Sequence, residues 1–166
     1  EQLIGTPYSW GGRSGDAMKV RLELINKFPK SKFYIDQVAS LGFDYESMAD
    51  FDDAANWYEK LYALKKDHPS AKDAIYSAAV FRNAMGQWEV AIKNYEQFIT
   101  TFPGEPNIHA LRLEIGKIYE AREKWPEAAK VYLPYFADPK KVPAGATVDE
   151  MMFARMRYGF LMDKLG

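Results

Sequence analysis

Apolar residues recur along this chain at the spacing of an α-helix, not of a strand. Ala54, Tyr58 and Leu61 follow i, i+4, i+7, and Ala91, Tyr95 and Phe98 repeat the pattern; positions so spaced share one helix face. No stretch alternates convincingly with period two, so no sheet is expected. Helix punctuation agrees. Ser31, Asp50, Ser70 and Thr147 stand where N-caps are needed, and Thr147 with Glu150 has capping-box spacing. Pro126 falls at a first helical position, where a missing N–H is harmless. Phe28-Pro29, His68-Pro69 and Phe102-Pro103 end helices, because proline disfavours the α conformation of the residue before it. The pattern predicts helices over about 16–28, 33–48, 51–67, 71–85, 88–101, 107–122, 126–136 and 148–165. One longer connection, 137–147, carries Pro139 and Pro143 and is expected as a surface loop.

The helices repeat one another. Phe51, Ala54, Tyr58 and Leu61 reappear 37 residues on as Trp88, Ala91, Tyr95 and Phe98, and 37 further as Trp125, Ala128, Tyr132 and Tyr135. Upstream of them Leu41-Gly42 becomes Ala78-Ala79 and then Ile115-Gly116, and Tyr45 recurs as Tyr119, with Arg82 the exception between them. Ile4, Gly5, Tyr8 and Ala17 fall on the same register, although Pro7, Gly11 and Gly12 argue against a regular helix before residue 14. Tyr158-Gly159, Met162 and Gly166 fit the first helix of a further unit. Gly42, Ala79, Gly116 and Gly159 are expected where two helices approach closely. Ala54, Ala91 and Ala128 are expected inward and intolerant of bulk. Trp57, Trp88 and Trp125 are read as large apolar plugs; removing a buried one costs on the order of 3–5 kcal/mol.

The run Ile115-Gly116, Tyr119, Trp125, Ala128, Tyr132 resembles the tetratricopeptide repeat, whose usual period is about 34 residues against 37 here. The resemblance is good over residues 30–136. It implies an all-α, right-handed superhelix of antiparallel helix pairs. The chain then divides into a partial unit over 1–30, full units over about 31–69, 70–104 and 105–138, the loop 137–147, and a C-terminal helix over 148–166. The whole is expected to be one domain and a fragment of a larger protein.

Composition narrows the chemistry. The 22 basic and 23 acidic residues leave a net charge of -1, so no basic face recommends nucleic acid. No apolar run reaches the roughly 20 residues of a membrane span. Without cysteine there is no disulfide, thiol catalysis or Cys-based zinc site. His68 and His109 lie in different units and are read as ordinary solvated or capping residues. Gly11-Gly12-Arg13-Ser14-Gly15 lacks a preceding strand and the GK[ST] ending of a phosphate loop, so it reads as a flexible turn. Asp52-Asp53 and Asp149-Glu150 sit at helix N-termini, which favour them without any catalytic role. No enzyme, cofactor or metal site is expected.

What remains is a binding surface. The resemblance implies a concave groove lined by the first helix of each unit, which places Asp36, Phe43, Glu46, Asp73, Tyr76, Asn83, Leu113, Lys117 and Glu120 there, with Phe160 from the last helix. Val80 belongs to the same rows. Relatives that grip a C-terminal carboxylate use Lys, Arg and Asn at several of these positions, where this chain has Asp36, Asp73, Phe43 and Val80; such a clamp is not expected. An apolar, mildly acidic groove suits a protein or peptide partner with apolar anchors and some Lys or Arg. Packing of Phe43, Val80 and Leu113 against neighbouring helices is the other reading of those residues. The last helix has apolar residues on more than one face and lacks the polar outer face of a capping helix, so it is expected to meet further chain, a second copy or a partner. The Phe-Pro-Lys-Ser and His-Pro-Ser-Ala joints are similar to those of periplasmic tetratricopeptide proteins and suggest a bacterial cell-envelope complex, with the cytoplasm as alternative. The expected role is a non-catalytic interaction scaffold; the alternatives are an architectural self-association module or a helical accessory domain of an envelope enzyme.

Overall fold

The computed structural model describes residues 14–165; the register matches at Ile4, Gly5, Tyr8 and Gly166 lie outside them. Every regular element among the described residues is helical: α1 (Ser14–Lys27), α2 (Tyr34–Ser47), α3 (Phe51–Leu64), α4 (Ala71–Ala84), α5 (Trp88–Thr101), α6 (Ile108–Glu120), α7 (Trp125–Tyr132) and α8 (Val148–Leu165). Each lies close to an expected helix. The clearest difference is at α7, which stops at Tyr132 and passes into a 3₁₀ turn, Leu133–Tyr135. Pro134 has no N–H to continue the α pattern, and the chain tightens instead.

The chain divides into two compact units, one running to Asn94 and the other from Tyr95, with the division inside α5. In the first unit α1 packs on α2, α2 on α3 and α3 on α4. Its core gathers Val38, Ala54, Ala55, Tyr58, Leu61, Ala74 and Ala78. In the second, α6, α7 and α8 pack together with the 3₁₀ turn, around Leu113, Ala128, Ala129, Tyr132, Tyr135, Ala154 and Leu161. Ala54, Ala91 and Ala128 are fully buried, and their small side chains let the backbones come close. The three tryptophans are half-buried, not enclosed plugs. The cost of removing one is accordingly smaller, because part of each ring stays in water.

The turns repeat at the level of backbone angles. Ala49, Gly86 and Glu123 all have positive φ, at 59°, 77° and 56°. After each, the next N–H closes the turn on the carbonyl five residues back: Asp50 on Tyr45 at 3.0 Å, Gln87 on Arg82 at 2.8 Å, Lys124 on Tyr119 at 3.0 Å. This left-handed residue ends the first helix and aims the chain back into the second. Capping is uneven. Thr147 and Glu150 form the full reciprocal box, with Glu150 N–H donating to Thr147 Oγ1 at 3.2 Å and Thr147 N–H to Glu150 Oε2 at 2.8 Å. Asp50 accepts from Asp53 N–H at 3.4 Å, a weak cap, and Ser70 makes no side-chain cap. Ser31 stands two residues before the N-cap, Phe33, and accepts from that residue's N–H at 3.2 Å.

His109 departs from the solvated reading. It is buried on α6, with Nδ1 3.2 Å from the Tyr135 hydroxyl and Nε2 3.0 Å from the Ala144 carbonyl. The imidazole thus fastens the 137–147 loop to the helices. Burial pushes the Tyr135 hydroxyl up to about 12, so it stays protonated at neutral pH.

Candidate functional site

Within each unit one pair of helices is joined by the same three residues. A Cβ placed on Gly42 would fall well under 3.0 Å from the Tyr58 ring, and one on Gly116 would meet the Tyr132 ring in the same way. Each tyrosine hydroxyl then donates to a carboxylate four residues beyond its glycine, Tyr58 to Glu46 and Tyr132 to Glu120. Burial first, and then the accepting carboxylate, push both hydroxyls far above the ordinary tyrosine range, so they remain donors. Gly159 was expected at a similar approach, but nothing lies within 4 Å of a Cβ built there.

The predicted partner residues on the first unit fall on α2 and α4. Phe43 is 62% exposed, Tyr76 38% and Val80 37%, large apolar groups left in water. Asp36 and Asp73 are exposed, and Glu46 and Asn83 half-buried. Asp36 lies 3.2 Å from His68 Nε2; because His68 Nδ1 accepts the Ser70 N–H at 3.1 Å, the Nε2 proton points to Asp36. His68 is therefore a bracket between α2 and the start of α4, not a free solvated side chain.

On the second unit the predicted set separates. Leu113 is only 5% exposed and packs with Ala128, Tyr132 and Ala154. With α8 over α6, that position belongs to the core and is closed to a partner. Glu120 is also buried, because Arg157 of α8 reaches it with both Nε, at 3.0 Å, and Nη2. Burial alone would raise the Glu120 carboxyl, but hydrogen bonds from Arg157 and Tyr132 and the charges of Arg157 and Lys117 outweigh it and hold it below the ordinary range. Lys117 and Phe160 stay exposed. With Glu120, Ala121, Trp125, Phe153, Met156 and Arg157 they line an open cleft of about 470 Å³. Its cations lie across ring faces: Lys117 Nζ is 5.3 Å from the Phe153 centroid and the Arg157 guanidinium 5.0 Å from that of Phe160. Trp125, Phe153, Met156 and Phe160 give the cleft its apolar and aromatic surface, and Lys117, Glu120 and Arg157 its charge.

Several polar side chains with structural roles carried no motif. Arg82 stands where the other repeats have Tyr45 and Tyr119, and it is buried. Its guanidinium donates to both Glu59 oxygens at 2.8 Å, to Asn56 at 2.7 Å, to Gln87 at 2.8 Å and to Asp52 at 2.5 Å. Asn94 donates to the same Glu59 at 2.8 Å. Arg21 of α1 donates to buried Asp44 of α2 at 2.8 Å, and burial raises the Asp44 carboxyl despite that charge. The break in the aromatic column at Arg82 was the one available signal; nothing singled out Asp44. Among the described residues no group of three or more His, Cys, Asp or Glu could hold a metal ion, and no helix is long and apolar enough to cross a membrane.

Comparison with known proteins agrees with the helical-repeat fold. Residues 44–72 and 73–104 each match a model of the tetratricopeptide repeat. No curated protein sequence matches the chain. Solved structures share its fold. MamA AMB-1 has 19% identity and a TM-score of 0.59, covering 90% of this chain and 74% of its own. A Podosopora anserina protein of nearly identical TPR-like repeats has 16% identity and a TM-score of 0.51, covering 98% and 88%. A tetratricopeptide repeat protein from Parabacteroides merdae has 13% identity and a TM-score of 0.54, covering 93% and 61%.

Proposed function

We propose that this tetratricopeptide-repeat chain is a non-catalytic protein–protein interaction scaffold that holds an apolar anchor of a partner peptide or helix. The observation that carries the reading is the 470 Å³ cleft of the second unit, which takes in Lys117, Glu120 and Phe160 of the predicted set. Aromatic walls desolvate an inserted Leu, Met or Phe, and each such side chain is worth about 1.5–3 kcal/mol when fully buried. On the first unit the exposed Phe43, Tyr76 and Val80, with Asp36 and Asp73, suit further apolar contacts flanked by Lys or Arg on the partner. We place this role in a bacterial cell-envelope complex on the strength of the Phe-Pro-Lys-Ser and His-Pro-Ser-Ala joints. Fractionation of the tagged protein tests the compartment.

Affinity capture of partners with the wild type and with Phe43→Ala/Tyr76→Ala/Phe160→Ala tests the function. All three side chains are exposed, so the triple is expected to keep its helical circular dichroism while the recovered partner falls at least about tenfold. Undiminished recovery by the folded triple rules the reading out.

A further inference from the structure

We infer that the second unit carries another docking groove, on the side of α6 away from the cleft, for a partner helix with Arg or Lys at one position, an apolar side chain one turn on and Glu or Asp a turn beyond that. The groove is open and holds about 490 Å³. Its walls are α5, α6, α7, the 3₁₀ turn and the 137–147 loop, all within the second unit. It shares no residue with the cleft and takes none from α8. On α6 it is lined by Arg112, Ile115 and Tyr119. At about 100° per residue these fall within about 60° of one another, while Lys117, Glu120 and Ala121 of the cleft lie on the other side of the helix.

The two ends of the groove carry opposite charge. At one, Glu96 and Glu127 stand beside Tyr119; burial first, and then the charges of these carboxylates, raise its hydroxyl. Among the described residues no salt bridge joins either carboxylate. At the other end Arg112 stands at Tyr135, whose hydroxyl burial raises and the Arg112 charge and hydrogen bond draw down. Lys130, one turn past Glu127 towards Tyr135, adds a second cation. The middle is apolar, from Ile99, Ile115 and Val131. Arg112 and Tyr119 are seven residues apart, about 10.5 Å along α6, and a helix laid in the groove spans the same distance between positions i and i+7. Its cation then meets Glu96 and Glu127, its carboxylate meets Arg112 and Lys130, and an apolar side chain at i+4 covers the middle. Matched charge at both ends sets the direction of the bound helix and disfavours wrong partners.

A guanidinium is the chemistry this chain itself uses one repeat earlier. Arg82, 37 residues before Tyr119, donates to both oxygens of Glu59, 37 residues before Glu96, at 2.8 Å. At the later register tyrosine replaces the arginine, so Glu96 keeps its carboxylate without that cation.

The probe is an alanine-based synthetic helix of about 15 residues, stapled because so short a helix is marginal alone, with arginine at i, leucine at i+4 and glutamate at i+7. It is titrated against the isotope-labelled 166-residue chain by NMR. Methyl shifts at Ile99, Ile115 and Val131 are expected, with a Kd of about 1 mM or tighter. Replacing the peptide's arginine by glutamate is expected to weaken binding about tenfold. Glu96→Lys/Glu127→Lys in the protein is expected to weaken the parent peptide as much and to restore the glutamate peptide. Glu96 is exposed and Glu127 half-buried, so this variant is expected to fold, and circular dichroism checks it. Phe160→Ala, in the cleft, is expected to change nothing. Absence of shifts at the three methyls, equal binding of the two peptides by the wild type, or a folded Glu96→Lys/Glu127→Lys chain that still prefers the parent peptide overturns the proposal. So does loss of binding on Phe160→Ala, which would put the peptide in the cleft.

Discussion

The α2–α3 pair and the α6–α7 pair use the same clasp 74 residues apart, yet one is open and the other sealed. In the first, Tyr58 donates to Glu46, which stays half-buried at the edge of the unit. In the second, Tyr132 donates to Glu120, and Arg157 of α8 closes over the carboxylate and buries it. The ring-on-glycine contact does the packing in both. What differs is the carboxylate, a surface acceptor in one place and the hub of a three-residue network in the other. A repeat thus conserves its shape while its charge environment is set by whatever helix comes next.

The largest expected effect breaks the shared part of the clasp. Gly42→Ala and Gly116→Ala push a methyl into a buried ring, and each is expected to cost about 1–3 kcal/mol by urea denaturation. Gly159→Ala is the control on α8. With open space at that position it is expected to stabilise by roughly 0.5–1 kcal/mol, through helix propensity alone. Equal effects at all three glycines would remove the distinction between the two ring-covered glycines and the open one.

A smaller effect sharpens the difference. Glu120→Gln is expected to cost about 1–2 kcal/mol at pH 7 by stranding Arg157 and weakening the bond from Tyr132, against less than about 0.5 kcal/mol for Glu46→Gln. The Glu120 carboxyl is held below its unfolded value. Its contribution is therefore present above about pH 4.3, the ordinary glutamate value, and is lost as pH falls through the lower folded value. Wild type and Glu120→Gln should converge in acid. Asp44 has the opposite sign, because its raised carboxyl makes the native state bind a proton more readily, which favours folding as pH drops.

The smallest effect concerns the turns. Ala49 and Glu123 occupy left-handed backbone that Gly86 adopts freely. Ala49→Gly and Glu123→Gly are expected to gain about 0.5–1 kcal/mol, and Gly86→Ala to lose about 1 kcal/mol, read as shifts in thermal midpoint.

The helices were legible because the i, i+4, i+7 spacing recurs along the chain and a proline or cap signal marks several of the boundaries, and Gly42 and Gly116 were legible as close approaches because a fixed offset aligned them. Gly159 shows the limit of that reasoning: the register is a property of the sequence, but the contact requires a second helix. Leu113 and Phe160 looked alike as candidate partner residues. Whether such a side chain faces water depends on where α8 lies, and that is decided by the Ala154 and Leu161 packing. His109 gave no signal because the carbonyl it meets, that of Ala144, belongs to an irregular loop. Asp44 and Arg21 are invisible to periodicity, since a buried ion pair interrupts an apolar face at both ends.

Sixteen residues separate each glycine from the tyrosine that covers it, and that short span has a kinetic consequence. Closing so small a loop costs little chain entropy, and contacts close in sequence favour fast folding. Either clasp can therefore serve as a nucleus, the α2–α3 hairpin or the α6–α7 hairpin, with neighbouring helices adding outward from whichever forms first.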